Sequence, residues 1–478
     1  MSAFRLTALI AGLLLAPAAA SEQDTALREE ALRAMKRAAT FFKTQVATHG
    51  GYLWWYSLDL EQRAGEGKAT PTQIWVQPPG TPSVGEALLK AYEATKDKDY
   101  LDGAVAAAHA LAWGQLATGG WDYRIDFDPK QSKRWYYRRD VVAGDKDRGK
   151  RRNTTTFDDD NTQSALRLLM RVDRAVGGKD KGVRTAVEYG LKGMLAAQYP
   201  NGAWPQRVSG KHDPKKYPVL KARYPETWSR VYPGTSYAGY YTWNDNAIRD
   251  CVTTLLLAYE VYKQPEHLAA AVKAGDFAVL SQMPEPQPVW AQQYNFKMEP
   301  AWARKFEPPS VTGGESRAAL DVLQLIYQAT GDAKYLEPMP RAFAWYKRSK
   351  LPDGSWARFY ELKTNKPLYF TRGTYKLTYD DGDMPRHYCF KSTGRYPTQI
   401  EAWYRRVMQV PADKRAAAVT EWVRKGKEKR GKIDPKTVRK IIASLDAQGR
   451  WTTRGRIECA TFNRNMRALA TYVGQARP

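Results

Sequence analysis

Three cysteines in 478 residues, Cys251, Cys389 and Cys459, give no even set for a disulfide scaffold and no metal-ligand spacing for a zinc module. The five histidines are scattered, and no Ser–His–Asp order, phosphate-cradling glycine loop or zinc motif is visible. Past the first twenty residues no run approaches the roughly 18 apolar residues of a membrane-spanning helix. Phenylalanine is scarce, with 13 Phe against 16 Trp and 29 Tyr. Rings with a polar edge therefore dominate, which suits contact with wet, hydroxylated ligands as well as packing. No low-complexity linker or composition shift divides the chain. A hydrophobic fraction of 43% with 12% aromatics excludes a disordered or collagenous protein.

The first twenty residues read as an export leader. Arg5 supplies the positive end, Leu6 to Pro17 a short apolar run, and Ala18-Ala19-Ala20 a small-residue cleavage site before Ser21. The expected product is a secreted or periplasmic bacterial protein. Its net charge is +25. In a cytosolic protein that charge would suggest nucleic acid. In an exported one the polyanions to hand are acidic polysaccharides and cell-wall polymers. Basic clusters at Lys146–Arg152, Lys211–Lys221 and Lys425–Lys440 are ordinary solvated loops taken singly, and together favour an anionic ligand.

A loose repeat organises the chain. Helical patterns run out into a turn and an aromatic at Gly50-Gly51-Tyr52-Leu53-Trp54, Gly119-Gly120-Trp121, Gly202-Ala203-Trp204, Gly354-Ser355-Trp356 and Gly449-Arg450-Trp451, with a version lacking glycine ending at Trp290. First helices are expected over Ala26–Thr48, Tyr100–Leu116, Val183–Gln198, Glu266–Gln282, Lys334–Lys350 and Pro435–Asp446. Second helices begin near Ser83, Asp160, Asp245, Gly314, Pro397 and Cys459, with apolar residues three and four apart. Strand-like alternation is nearly absent outside Leu368–Tyr379. Six such pairs predict an all-α toroid of helical hairpins forming one domain over residues 21–478, with long loops at one end forming a cleft.

Three second-helix starts are alike: Thr156-Phe157-Asp158-Asp159-Asp160-Asn161, Thr242-Trp243-Asn244-Asp245-Asn246 and Thr461-Phe462-Asn463-Arg464-Asn465. Asp and Asn there cap helices well. Three consecutive Asp exceed what a cap needs and repel one another unless a cation or basic partner neutralises them. Hard oxygen ligands of this kind suit Ca2+.

Five segments, Thr154–Val172, Tyr199–Gln206, Tyr224–Pro233, Tyr240–Ile248 and Trp356–Arg372, resemble in order the motifs of the pectate lyases of polysaccharide lyase family 10. The resemblance spans about Asp99 to Tyr379. It implies calcium-assisted β-elimination of polygalacturonate, or a related polyuronate, with an arginine base. By the same resemblance Asp158 and Asp245 belong to the calcium site and Arg372 falls at the catalytic arginine. Arg358 and Lys366 match the substrate-contacting segment.

Elimination suits these residue types. The acidic C5 hydrogen of a uronate lies beside a carboxylate whose charge must be neutralised as an enolate-like state forms. Tyr360 and Trp204 are candidate sugar platforms, and Arg230 and Arg317 candidate partners of uronate carboxylates. Many of the tryptophans suit helix packing equally, and Glu315 suits a structural pair with an arginine. The chain departs from the family at Asp160 and Asn161, where small residues are usual, and at Gly373-Thr374 after Arg372. It also has six helix pairs where the family has three.

Two other readings fit the residues. One is a toroidal glycoside hydrolase using two carboxylates among Asp158, Asp159, Asp160, Asp245 and Glu315. The other is a noncatalytic polyuronate-binding protein. A monomer is expected. His387 suits a surface or core role more than a catalytic one, His49 and His109 read as structural, and a Cys251–Cys459 pairing is left open.

Overall fold

Apolar residues spaced by three and four, closed at their ends by Asp, Pro or Gly, build the helices of a computed structural model that describes residues 16–392, 396–425 and 432–475. In chain order these are α1 (Ala16–Phe41), α2 (Thr81–Thr95), α3 (Lys98–Trp113), α4 (Arg138–Val142) and α5 (Asn161–Ala175). The next are α6 (Lys181–Ala196), α7 (Ala247–Tyr262), α8 (Pro265–Leu280), α9 (Gly313–Thr330) and α10 (Pro338–Arg348). The last are α11 (Tyr396–Met408), α12 (Ala412–Lys425), α13 (Pro435–Ala443) and α14 (Cys459–Gln475). The predicted second helices correspond to α2, α5, α7, α9, α11 and α14. Residues 1–15 of the expected leader lie outside the described residues, and Ala16–Ala20 form the first turns of α1. Part of the basic cluster Lys425–Lys440, residues 426–431, also lies outside them.

The chain is an all-α toroid. Helices α2, α5, α7, α9 and α14 all present residues to one central cavity. Helix α14 packs on both α1 and α2, so the last hairpin closes the ring against the first. Three outer helices, α3, α6 and α13, are started by aspartate: Asp97 accepts from Asp99 N at 3.0 Å, Asp180 from Val183 N at 3.0 Å and Asp434 from Thr437 N at 2.9 Å. Each such cap contributes about 1 kcal/mol. Helix α12 has a different task. Its Thr420 donates to Glu260 near the end of α7, and its Val423 carbonyl accepts from Arg171 of α5 at 3.0 Å. It therefore lies across the C-terminal ends of the inner helices, opposite the loops that begin them.

The repeated Gly-x-Trp turns form an internal brace. Trp121, Trp204, Trp290, Trp356 and Trp451 are buried, and each indole donates to a carbonyl ten or twelve residues earlier in the outer helix. The acceptors are Leu111, Met194, Ala278, Tyr346 and Ile441, at 2.8 to 3.0 Å. These bonds reach carbonyls of the last helical turns, of which Leu111 and Ile441 also accept from backbone N–H groups of Gly114 and Ser444. Gly202 is required in its turn: its φ is +95°, and a Cβ there would lie 2.0 Å from the Lys273 carbonyl oxygen. The sugar-platform expectation for Trp204 is corrected accordingly, because the ring is fully buried in this brace. Tyr360 is corrected for the same reason: it is 1% exposed, accepts from Ala357 N and donates to the Ser349 carbonyl at 2.6 Å.

Short antiparallel ladders stiffen the loops at the N-terminal ends of the inner helices. The largest near the cleft joins Ser310–Thr312, Phe359–Glu361, Pro367–Phe370 and Leu377–Thr378 in the spatial order fourth, third, second, first. Tyr241–Thr242 pairs with Gln293–Tyr294, and Thr155–Thr156 with Arg207–Val208. The cysteines are free, with Cys251 and Cys459 buried.

Candidate functional site

Two of the three similar helix starts adopt one backbone. Asp158-Asp159-Asp160 leads into α5 and Asn244-Asp245-Asn246 into α7, each as a single tight turn. Asp159 and Asp160 have φ of 49° and 62°, and Asp245 and Asn246 have 46° and 63°. Left-handed backbone at four non-glycine residues is costly and concentrates where structure serves a site. Thr156 and Thr242 prepare the turns alike, their hydroxyls accepting from Asp158 N at 3.3 Å and Asn244 N at 3.1 Å. The third start, Asn463-Arg464-Asn465, is instead part of α14, which begins at Cys459.

The paired turns bring carboxylate oxygens of Asp158, Asp159 and Asp245 within 4.8 Å of one another. Tyr123 donates to Asp158 at 2.7 Å, Gln77 to Asp159 at 2.8 Å and Asn244 to Asp245 at 2.6 Å. The other oxygen of Asp158, Oδ1, is buried without a hydrogen-bond partner. Burial, then the charges of Asp158 and Asp245, push the Asp159 carboxyl up to about 7. Burial, Asp158 and Glu315 push Asp245 up to about 6. Three carboxylates this close cannot all ionise near neutrality without a counter-charge. Asp160 stands apart: both its oxygens accept from Arg167, at 2.7 and 2.6 Å. The three consecutive aspartates thus divide into two for the acidic trio and one for an ion pair.

Two arginines act on the trio. Arg304 bears on both Asp159 and Asp245, and Arg358 on Asp245. Arg358 donates to Glu315 at 2.7 Å, lies 4.4 Å over the Tyr388 ring, and lines the central cavity with Asp245 and Glu315. Burial opposes its charge, and Glu315, Tyr388 and Asp245 overrule that and raise its pKa. Arg304 is held by Glu307 at 2.6 and 2.8 Å, with Tyr388 donating to the same carboxylate at 2.6 Å. The cavity has a volume of about 1300 Å³.

The predicted site residues divide clearly. Asp158, Asp245, Arg358 and Glu315 come together, and Arg317 lines the same cavity. Arg230 pairs with Glu361 and donates to Tyr379 at 2.7 Å, while Lys366 is exposed and lies 5.5 Å over the Tyr379 ring. Arg372 is exposed, is paired with Asp383 at 3.2 Å and does not line the central cavity. His387 is exposed and its ring lies 5.1 Å from Phe306. Sequence reasoning left Asp159 out of the metal set, although aligning Phe157 with Trp243 sets Asp159 against Asp245. Arg304 and Glu307 lie in a loop outside every motif and carried no signal.

A divalent cation fits this donor set. The oxygens are hard and anionic, one is buried without a partner, and Arg304 and Arg358 offset the local charge only in part, since Asp159 and Asp245 stay raised. Asp158, Asp159 and Asp245 are the residues that would hold it.

The family model for pectic acid lyase matches residues 126–355. No curated protein matches the chain. Among solved structures, the family 10 polysaccharide lyase from Cellvibrio cellulosa is similar at 21% identity. That alignment covers 69% of this chain and 98% of that one, with a TM-score of 0.47. A mutant of that lyase in complex with trigalacturonic acid matches at 20% identity over 68% of this chain and 98% of that one, with a TM-score of 0.46. A family 76 glycoside hydrolase (mannosidase) from Bacteroides thetaiotaomicron matches at 11% identity over 94% of this chain and 98% of that one, with a TM-score of 0.44.

Proposed function

We propose, from the membership of residues 126–355 in the pectic acid lyase family, that this chain is an exported lyase cleaving polygalacturonate or a related polyuronate by calcium-assisted β-elimination. The observation that carries the reading is the trio Asp158, Asp159 and Asp245, whose oxygens lie within 4.8 Å of one another beside Arg358. A Ca2+ held by Asp158, Asp159 and Asp245 would supply positive charge to the C6 carboxylate of the uronate, favouring the enolate-like state.

The protein's own groups do the rest. Tyr123 and Gln77 fix the rotamers of Asp158 and Asp159 through their hydrogen bonds. Glu315 holds the Arg358 guanidinium against the cavity wall at 2.7 Å. An arginine base must lose a proton it ordinarily keeps. Burial is the largest influence on Arg358 and disfavours its charge, while Glu315 and Asp245 are among the groups that oppose this. Arg358 lines the central cavity beside Asp245 and the exposed Arg372 does not, so the proton-accepting role is assigned to Arg358 on position. Once the guanidinium has released a proton to solvent, the neutral guanidine takes the C5 proton, the C5–H electron pair forms the C4–C5 double bond, the C4–O bond breaks, and the departing sugar oxygen takes a proton from water.

The raised carboxyls of Asp159 and Asp245 also support the hydrolase reading, in which a protonated Asp159 is the acid. Product chemistry separates the two. On polygalacturonate with Ca2+, Arg358→Ala is expected to lower formation of unsaturated product at least 100-fold and Arg372→Ala less than tenfold (about 2.7 and 1.4 kcal/mol of barrier). The reverse order returns the base to Arg372. Saturated products would replace the lyase reading with the hydrolase.

A further inference from the structure

The central cavity meets the acidic trio at Asp245 and does not end there. Its wall continues past Pro78 and Pro79 to α14, where Asn463, Arg464 and Arg467 line it. These positions lie beyond the segment that matches the family model, residues 126–355. Arg464 repeats in sequence the step held by Asp159 and Asp245, but with the opposite charge and on helical backbone.

Arg464 is exposed to this cavity, and among the described residues no carboxylate pairs with it or with Arg467. Its own contacts are side-chain oxygens of Asn465 and Thr461, at 3.4 and 3.5 Å. Arg467 donates to the Ser83 carbonyl at 3.3 Å. This contrasts with the rest of the wall, where Arg167, Arg249 and Arg358 are each matched to a carboxylate. Asn463, beside them, is 6% exposed; its amide donates to the Pro79 carbonyl at 3.0 Å while its Oδ1 accepts nothing. The acidic trio thus adjoins the cavity at Asp245, while the α14 side of the wall carries cations without carboxylate partners and a buried acceptor without a donor.

We propose that Arg464, Arg467 and Asn463 form a cationic subsite for the carboxylate and a hydroxyl of a uronate residue flanking the one held at the acidic trio. The cavity, at about 1300 Å³, exceeds the space one small ligand needs. The guanidinium fork matches a carboxylate, and its attraction is lost if that acid is esterified. The proposal rests on the polyuronate reading for its ligand and extends the cleft onto a hairpin outside the family-matched segment.

The test is calorimetric titration of full-length protein with hexagalacturonate and with its methyl ester, in chelator so that binding is read without calcium-dependent turnover. Arg464→Ala is expected to weaken hexagalacturonate binding about tenfold or more, the strength of one charged hydrogen bond. Arg464→Lys should restore most of it, and binding of the ester should not change. Arg33→Ala on α1 removes the same charge outside the cavity and should leave both ligands unaffected. Melting curves establish folding, with Arg464→Gln as the alternative variant. Wild-type affinity in both Arg464→Ala and the Arg464→Ala/Arg467→Ala double variant would overturn the subsite. So would a wild-type protein that does not prefer the acid to its ester. If acid-selective binding depends on Arg464 yet wild type with Ca2+ forms no unsaturated product, the subsite stands and the lyase reading falls.

Discussion

Asp159 and Asp245 occupy the same step of two superposable turns, with φ of 49° and 46°, and meet across the N-terminal ends of α5 and α7. The repeat that builds the toroid thereby supplies two carboxylates of the trio from one hairpin and the third from its neighbour. Neither turn suffices alone.

Adjacent aspartates should respond oppositely to the same change. Asp159→Asn removes a carboxylate that its neighbours repel, so the metal-free protein should gain stability at pH 8. Asp160→Asn leaves the half-buried Arg167 without its doubly bonded carboxylate and should cost about 1.5–3 kcal/mol. Thermal or denaturant unfolding in chelator distinguishes the two, and equal effects would contradict the division of labour.

The acidic trio also sets a pH dependence. The folded-state pKa values of Asp159 and Asp245, about 7 and about 6, lie above the unfolded value of 3.8. Such groups contribute stability that is fully present below the unfolded pKa and lost as pH rises through the folded one. The metal-free melting temperature should therefore fall from this source between about pH 4 and 7. The increment from added Ca2+ should grow over the upper part of that range, where the cation displaces fewer protons. At a hundredfold excess over its Kd the ion adds about 2.7 kcal/mol. Melting curves at pH 5, 6, 7 and 8, with and without CaCl2, check both trends.

Much of this was legible in the sequence. The second helices start within two residues of their expected positions, because the Gly-x-Trp turns fix the spacing of the repeat and Asp or Asn marks the starts of α5 and α7. The short ladders around the cleft were not, since two or three residues give no readable alternation. The tryptophans were misjudged in part because a ring in a Gly-x-Trp turn looks the same whether its indole meets a sugar or the Met194 carbonyl. Asp158 and Asp245 were found by motif. Arg304 is joined to them only by a loop of unremarkable composition, and no local pattern announces a contact made through space.

The brace has a measurable value. Trp204→Phe keeps a large apolar ring but leaves the Met194 carbonyl without its donor, and should cost about 1–3 kcal/mol. Because the ring is fully buried, affinity for oligogalacturonate should not change. Denaturant unfolding gives the first quantity and calorimetry the second; lost affinity at unchanged stability would restore the platform role.

The most direct measurement is ultraviolet absorbance of unsaturated product when the purified protein meets polygalacturonate, with CaCl2 and with chelator. The account predicts a rise that requires Ca2+ and is lost in Asp159→Asn. Saturated reducing ends without that rise, or a rise indifferent to both chelator and Asp159→Asn, would contradict it.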